Sequence, residues 1–280
     1  MKFFVIGSHG YVATQMLSRL KQKKMGFVAV SRTPREEEHA LNLETPEIFN
    51  YSLISRGDVI LMLAANSSPD FCRDHHELAW KTNVIGSSAF ISRCIERGGR
   101  VIFFSSDTVY GEQSSMCNES SKCNPVGEYA LMKREVEQRF KEESSFKTIR
   151  LSYVFSRDDK FTKYLVTCSD RSEPAELFHP FMRAVVHRDD IVEGAISLGE
   201  NWDSFPERII NFGGPEVISR IEFADILRST ALPHLKYIVQ EPSADFFKNR
   251  PKYISMASSI LPRLLGRASS TLAKAAKLEF

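Results

Sequence analysis

Four short, almost wholly apolar runs, separated by stretches with helical periodicity, constrain this chain more than anything else in it. Lys2–Gly7 and the runs GFVAVSR, DVILMLAA and RVIFFSS each read as a strand. A run such as VILML has no polar alternation, the pattern of a strand buried on both faces. After the first strand, Val12, Met16, Leu17 and Leu20 recur at helical spacing. Lys21, Lys23 and Lys24 follow near the C-terminal end, where the helix dipole favours cations. Further helices are predicted at about Glu77–Glu96 and Gly127–Glu143, and further strands at TIRLSYVF and RIINFGG. Strand–helix alternation implies right-handed crossovers and a parallel sheet covered on both faces, a doubly wound α/β fold.

The pattern changes after about Phe155. Arg157–Pro180 is polar with few clear periods, and Glu216–Phe280 holds short helices and one candidate strand, KYIVQ. Residues 1–155 therefore read as a dinucleotide-binding, Rossmann-like domain, with segments near 185–214 returning to it. Residues 156–184 and 215–280 read as a smaller substrate lobe that closes over it. The tail STLAKAAKLEF reads as a frayed helix or an appended segment.

Composition narrows the function classes. With 280 residues and 42% hydrophobic content, the chain can bury a core without staples. A net charge of +2 argues against a general nucleic-acid binder. Five cysteines at irregular spacing suggest reduced thiols and a cytoplasmic location. Cys117 and Cys123 are the nearest pair, but no second pair or histidine couplet joins them, so no metal site is expected. No apolar run approaches the roughly 18 residues of a membrane span, and the N-terminus lacks a signal-peptide pattern. His75 and His76 read as exposed or capping residues. His187 with Asp189 and Asp190 reads as a loop-to-helix boundary.

Gly7, Gly10 and Ala13 form G-x-x-G-x-x-A between the first strand and its helix. A phosphate pair needs close backbone approach and free N–H groups at a helix N-terminus, which glycine permits. Ala13 is small enough for the helix to lie close to the sheet. At the end of the second strand stand Ser31, Arg32 and Thr33, where NAD binders usually carry an acid. A guanidinium and hydroxyls suit a 2′-phosphate, so NADP(H) is favoured over NAD(H). Glu36–Glu38 lie beyond Pro34, too far along to replace a strand-end carboxylate.

Tyr129 and Lys133, four residues apart in a predicted helix, share one face. Moving a phenol from its reference pKa of ~10 to ~7 takes about 4 kcal/mol. An ammonium about 4 Å away at an effective dielectric of ~20 supplies about that much. Ser106 ends the strand RVIFFSS, where its hydroxyl can donate to a carbonyl oxygen being reduced. Arg250, before Pro251, could reach a substrate diphosphate from the closing lobe.

Taken jointly, these motifs make the chain similar to the short-chain dehydrogenase/reductase superfamily, in its extended epimerase/dehydratase branch of nucleotide-sugar enzymes. The resemblance runs from residue 1 to about Gly266. DVILMLAANSSPD, NVIG at Asn83 and VVHRDDIVEGAI carry it further, and NFGGPEVISRIEFADIL and RPKYISMASSILPRLLG look most like the dTDP-4-dehydrorhamnose reductase group. The resemblance implies catalytic roles for Ser106, Tyr129 and Lys133, with Lys133 also holding the nicotinamide ribose. It implies that Gly7, His9, Gly10 and Tyr11 line the pyrophosphate and that Ala64 and Ala65 line the dinucleotide cleft. Asn42 falls where the family commonly has an Asp near the adenine, and Asn83 joins the cofactor-binding set. Dehydratases of this branch carry Asp-Glu after the hydroxyl residue. Here Asp107 is followed by Thr108, which disfavours that reaction.

The expected activity is NADPH-dependent reduction of a 4-keto nucleotide-sugar, with Tyr129 as acid, Ser106 orienting the carbonyl and Lys133 tuning the phenol. One alternative is an epimerase that retains NAD tightly. Another, from a different class, is a cofactor-binding regulatory subunit. The expected partner is the small-molecule nucleotide-sugar, with no nucleic acid and no membrane, and homodimers are common in the resembling family.

Overall fold

In a computed structural model describing residues 1–113, 115–248 and 250–280, the apolar runs become neighbouring strands of one sheet. The first six strands are β1 (Phe3–Ile6), β2 (Phe27–Ser31), β3 (His39–Ala40), β4 (Val59–Met62), β5 (Arg100–Ser106) and β6 (Phe146–Leu151). Short strands β7 (Val154–Phe155), β8 (Ala175–Phe178), β9 (Met182–Ala184) and β10 (Val186–His187) follow. The chain then forms β11 (Ile209–Phe212), β12 (Val217–Ser219) and β13 (Tyr237–Gln240). The central sheet has seven strands in the order β11-β6-β5-β4-β1-β2-β3. Every neighbouring pair in it is parallel. The doubly wound α/β architecture is therefore as expected, and RIINFGG returns to the main sheet as its edge strand beside β6.

Alternation along each strand supplies both faces with core. Phe3 and Val5 of β1, with Val59 and Leu61 of β4, point to one side. Phe4, Ile6, Ile60 and Met62 point to the other. The first face is covered by α1 (Tyr11–Gln22) and by a later helix, Arg188–Glu200. Between β4 and β5 the chain runs through α2 (Pro69–Asp74), α3 (His76–Trp80), a π-helical turn at Lys81–Gly86, and α4 (Ser87–Glu96). The predicted helix over 77–96 thus contains a widened turn that periodicity did not reveal. Gly86 ends that turn: a Cβ there would overlap the carbonyl oxygen of Leu43, so only glycine lets the helix approach that loop. Helix α5 (Glu128–Arg139) joins β5 to β6.

The remaining helices are α6 (Lys160–Asp170), α7 (Arg188–Glu200), α8 (Arg220–Thr230), α9 (Ala244–Lys248), α10 (Leu261–Leu265) and α11 (Leu272–Glu279). Phe155, Leu165, Leu177, Phe223, Leu227 and Leu272 form a separate core there. Asp159 caps α6 by accepting from the N–H groups of Phe161 and Thr162 at 2.9 and 3.0 Å. Ser219 and Glu222 form a capping box on α8.

Two expectations for the C-terminal segment need correction. The tail is a packed helix rather than a frayed one: Leu272, Ala275 and Ala276 are buried, and Glu279 pairs with buried His187 at 2.9 Å. Ile260, Leu261 and Leu264, expected in the smaller lobe, instead join the core beneath the main sheet with α7 and β11. No helix among the described residues is long and apolar enough to cross a membrane.

Candidate active site

Strand order reverses between β1 and β4, and such a reversal opens a crevice at the carboxyl ends of the strands. Gly7 ends β1 with φ +89°, and a Cβ there would come within 3.0 Å of the Ala64 backbone. The two loops can meet this closely only because that position is glycine. The Gly10 N–H donates to the Gly7 carbonyl at 2.8 Å, and no side chain caps α1 behind it. The first N–H groups of that helix are thus open to an anion. Ala13 is fully buried in the core beneath the sheet.

The crevice encloses about 340 Å³, and Gly7, His9, Gly10, Ser31, Arg32, Asn42, Ala64 and Ala65 all line it. Two residues expected with them stand apart. The Tyr11 hydroxyl donates to Ser156 Oγ at 2.5 Å, and the Arg188 guanidinium lies 4.9 Å from the centre of its ring. Asn83 is buried and clamps Asn66: its Oδ1 accepts the Asn66 N–H at 2.8 Å, and its Nδ2 donates to the Asn66 carbonyl at 3.0 Å. Asn66 lines the crevice, so Asn83 acts on it at one remove.

Glu38 corrects the reading of the acidic run. Its carboxylate is not too far along the chain. It accepts from Ser8 Oγ at 3.1 Å, Ser31 Oγ at 3.3 Å and the Arg35 N–H at 2.9 Å, and pairs with His9 Nε2 at 2.8 Å. The reason is topological. Strand β3 pairs in parallel with β2, His39 opposite Val30, so the chain must double back first. Glu37 makes that turn with φ +69°. Burial works against ionisation of Glu38, but the Arg35 N–H, His9 and Ser8 outweigh it and hold the carboxyl below its usual range.

A second cavity, about 240 Å³, opens at the carboxyl end of β5 and is lined by Ser106, Asp107, Tyr129, Ser152, Tyr153 and Arg183 among others. Ser106 caps the turn after β5, accepting from the Thr108 N–H at 3.2 Å and from Thr108 Oγ1 at 2.9 Å. Asp107 is buried, accepts from Ser152 Oγ at 2.9 Å and lies 3.9 Å from Arg183 Nε. Burial pushes its carboxyl up, and Arg183 and the serine hydroxyls only partly oppose this.

Lys133 is buried one turn along α5 from Tyr129, its Nζ 5.8 Å from the centre of that ring. Burial lowers its pKa to about 8, although Glu137 pulls the other way. Burial pushes the Tyr129 phenol up, and Cys72 and Asp107 add to this. Among the protein's own groups, burial therefore dominates the phenol, the reverse of what spacing alone led one to expect.

Arg250 pairs with Asp70 at 2.5 Å. Sequence reasoning did not single out Arg183 or Arg220. Arg220 stacks on Phe161 at 4.3 Å and on Phe181 at 4.9 Å, and no carboxylate pairs with it among the described residues. With Arg183 and Tyr153 it lines a small apolar pocket, and Arg183 and Tyr153 also line the cavity holding Tyr129. A guanidinium beside aromatic residues was the available signal.

A crevice at the strand-order reversal, with serine, tyrosine and lysine at the neighbouring strand end, defines a dinucleotide-binding α/β protein. The chain belongs to the family described as "RmlD substrate binding domain", whose model matches residues 1–276, within the extended short-chain dehydrogenase/reductases. It is accordingly an NAD(P)-dependent enzyme of the extended type, and homologues and structural neighbours of it act in nucleotide-sugar metabolism. It is 24% identical over 290 residues to UDP-glucuronic acid decarboxylase 3 of Arabidopsis thaliana, covering 93% of this chain and 83% of that protein. The structure of MoeE5 in complex with UDP-glucuronic acid and NAD is similar with a TM-score of 0.81 at 18% identity, over 99% of this chain and 96% of that one. A dTDP-4-dehydrorhamnose reductase from Clostridium acetobutylicum gives a TM-score of 0.79 at 18% identity, over 100% and 98%. At such identities the structural likeness speaks for the fold.

Proposed function

We propose that this protein catalyses hydride transfer at a ring carbon of a nucleotide-sugar, in the net direction of reducing a 4-keto group. One observation carries the reading: Ser106 and Tyr129 share a cavity at the carboxyl end of β5, on the sheet edge that also holds the glycine-turn crevice. That crevice fits a dinucleotide, because the Gly7–Ala64 approach leaves space that any Cβ would fill. A bound nicotinamide dinucleotide supplies the hydride.

The chain's own residues manage the oxygen. Tyr129 delivers the proton from its phenol, which burial keeps protonated at neutral pH. Ser106 turns its hydroxyl from a long contact with Asp107, 3.3 Å, to the substrate oxygen. Lys133 restores the phenol's proton while its ammonium persists. Thr108 donates to Ser106 and supplies no carboxylate, so the paired acids that elimination requires are incomplete. Arg183 and Arg220 suit the diphosphate, and Arg250 can join them by leaving Asp70.

Cofactor choice turns on Glu38. Ser31 and Arg32 on the crevice favour a 2′-phosphate, as the sequence suggested, but a carboxylate held against Ser31 would repel one. An ionised acid there suits a ribose diol, so the preferred cofactor is NAD(H). The same observation favours a second reading, an epimerase that oxidises and re-reduces one carbon without net redox change.

The deciding experiment has two parts. Dinucleotide released from the purified protein is identified, and NADH and NADPH oxidation are followed with dTDP-, UDP- and GDP-linked 4-keto sugars. Stoichiometric oxidation supports the reductase. Retained NAD with isomerisation and no net oxidation supports the epimerase. Dinucleotide binding without turnover of any sugar would leave a regulatory subunit.

A further inference from the structure

Behind the cavity lies a buried ion pair that the chemistry above does not use. Glu137 and Arg150 are both almost wholly inaccessible. Glu137 accepts from Arg150 Nε at 3.1 Å and Nη2 at 2.7 Å, from Arg134 Nη1 at 2.8 Å and from Ser105 Oγ at 2.6 Å. The Arg150 guanidinium lies 4.7 Å from the centre of the Tyr110 ring, while its Nη1 is buried without a partner among the described residues. A buried pair of this kind contributes little net stability, since desolvation offsets most of its attraction.

What it joins is more informative. Three consecutive residues of β5 face the reacting groups or the helix that carries them. Phe104 offers its carbonyl to Lys133 Nζ at 2.7 Å, Ser105 donates to Glu137, and Ser106 faces the cavity. Glu137 is one turn beyond Lys133 on α5, and Lys133 one turn beyond Tyr129. Arg150 stands opposite Ser105 in the β5–β6 register. Tyr110, stacked on Arg150, closes the turn that begins after Ser106. Every element bearing a reacting side chain is thus tied to one carboxylate–guanidinium pair. An apolar contact can slide by a fraction of an ångström with little penalty, whereas a two-point hydrogen-bonded pair cannot.

We propose that Glu137 and Arg150 are positioning residues: their pair locks α5 against β6 and, through Ser105, against β5, in the single axial register that brings Tyr129 and Lys133 to Ser106. The idea rests on the hydride-transfer reading above. A misplacement of about 1 Å at a reacting group can cost about 10²-fold in rate, so a lock of this kind has a use that stability alone does not supply.

The test replaces both charges at once, Glu137→Met with Arg150→Met, because an apolar pair of similar volume commonly preserves stability. Ser105→Ala is the milder companion, removing only the hydroxyl that ties the pair to β5. The expected result for the double variant is cooperative unfolding like the parent's, unchanged NADH affinity, substrate KM within about threefold and kcat lower by roughly 10- to 100-fold. Ser105→Ala should lower kcat severalfold with KM unchanged. A folded double variant with the parent's kcat overturns the proposal, and if that variant does not fold, an unchanged kcat in Ser105→Ala overturns it instead. Tyr129→Phe in the same assay separates the two claims: full activity there sinks the hydride-transfer reading, whatever the pair does. If the parent turns over no sugar, a crystal structure of the double variant decides. Retention of the 2.7 Å Lys133–Phe104 contact defeats the positioning role, and its loss supports it.

Discussion

Lys133 Nζ donates to the carbonyl oxygen of Phe104 at 2.7 Å, tying helix α5 to the strand that ends in Ser106. Around the ammonium stand the Phe103 ring at 4.6 Å and the Tyr129 ring at 5.8 Å, with Glu137 and Cys72 as the titratable groups acting on its charge. Burial among them, rather than any cation, brings its pKa down to about 8.

A basic limb in the pH profile follows. If the charged lysine is needed, kcat/KM should be level below about pH 8 and fall as pH rises through that value. Tyr129, pushed up by burial, does not titrate in that range. The same group affects stability in the opposite sense. Its folded pKa lies below the unfolded value of ~10.4, so between about pH 8 and ~10.4 the unfolded chain binds more protons, and this lysine's contribution to stability rises with pH. A kcat/KM profile that stays flat to pH ~10 would show that the ammonium is dispensable.

Tyr129→Phe removes one hydroxyl from a ring that packs with Cys72, Ala79, Val84 and Met132. The fold and the glycine-turn crevice do not depend on that oxygen. Turnover should fall by about 10²–10⁴-fold, the usual worth of a positioned acid, while NADH affinity stays within about twofold. Stopped-flow turnover together with a fluorescence titration of NADH measures both, and undiminished turnover removes Tyr129 from the chemistry.

Glu38→Gln keeps the size of the side chain and most of its hydrogen bonds to Ser8, Ser31 and His9, but removes the charge. Loss of one charge-assisted bond to a ribose hydroxyl is worth about 1.5–3 kcal/mol, so NADH should bind at least about tenfold more weakly. NADPH should bind more tightly, since its 2′-phosphate no longer meets a carboxylate. Dissociation constants for both cofactors, in parent and variant, check this. A parent that already prefers NADPH would return the argument to Arg32.

How far these features were visible beforehand depends on how local their causes are. The sheet was legible because β1, β2, β4 and β5 are unbroken apolar runs, and nothing distant is needed to make VILM a buried strand. Gly7 and Gly10 were legible because a tight turn before a helix is written in adjacent residues. Glu38 was not, since its position depends on β3 pairing beside β2 and on the turn at Glu37, a tertiary event with no local pattern. Arg150 was hidden for the opposite reason. A lone arginine inside TIRLSYVF interrupts a strand without announcing that Glu137, thirteen residues earlier on α5, faces it. The need for glycine at position 86 was hidden in the same way, because the carbonyl that requires it belongs to distant Leu43.

Arg220 offers the sharpest test of where the substrate lies. It stacks on Phe161 and Phe181 at 4.3 and 4.9 Å and has no carboxylate partner among the described residues. Burial lowers the pKa of its guanidinium, Tyr153 and Asp159 only partly oppose this, and nearby Arg250 adds repulsion, so the group gains from a further anion that reaches it. A substrate diphosphate is such an anion, and Arg220→Met keeps an apolar stem between the rings while removing the charge. A hydrogen bond between charged groups contributes about 1.5–3 kcal/mol, so KM for the nucleotide-sugar should rise by roughly 10- to 150-fold. Chemistry happens elsewhere, so kcat should stay within about threefold and NADH affinity should not change. A keto sugar without its nucleotide diphosphate should be used equally poorly by parent and variant, because neither can draw on Arg220. If instead KM for the nucleotide-sugar is unchanged, the diphosphate lies away from the aromatic pocket, and Arg183 with Arg250 must hold it without Arg220.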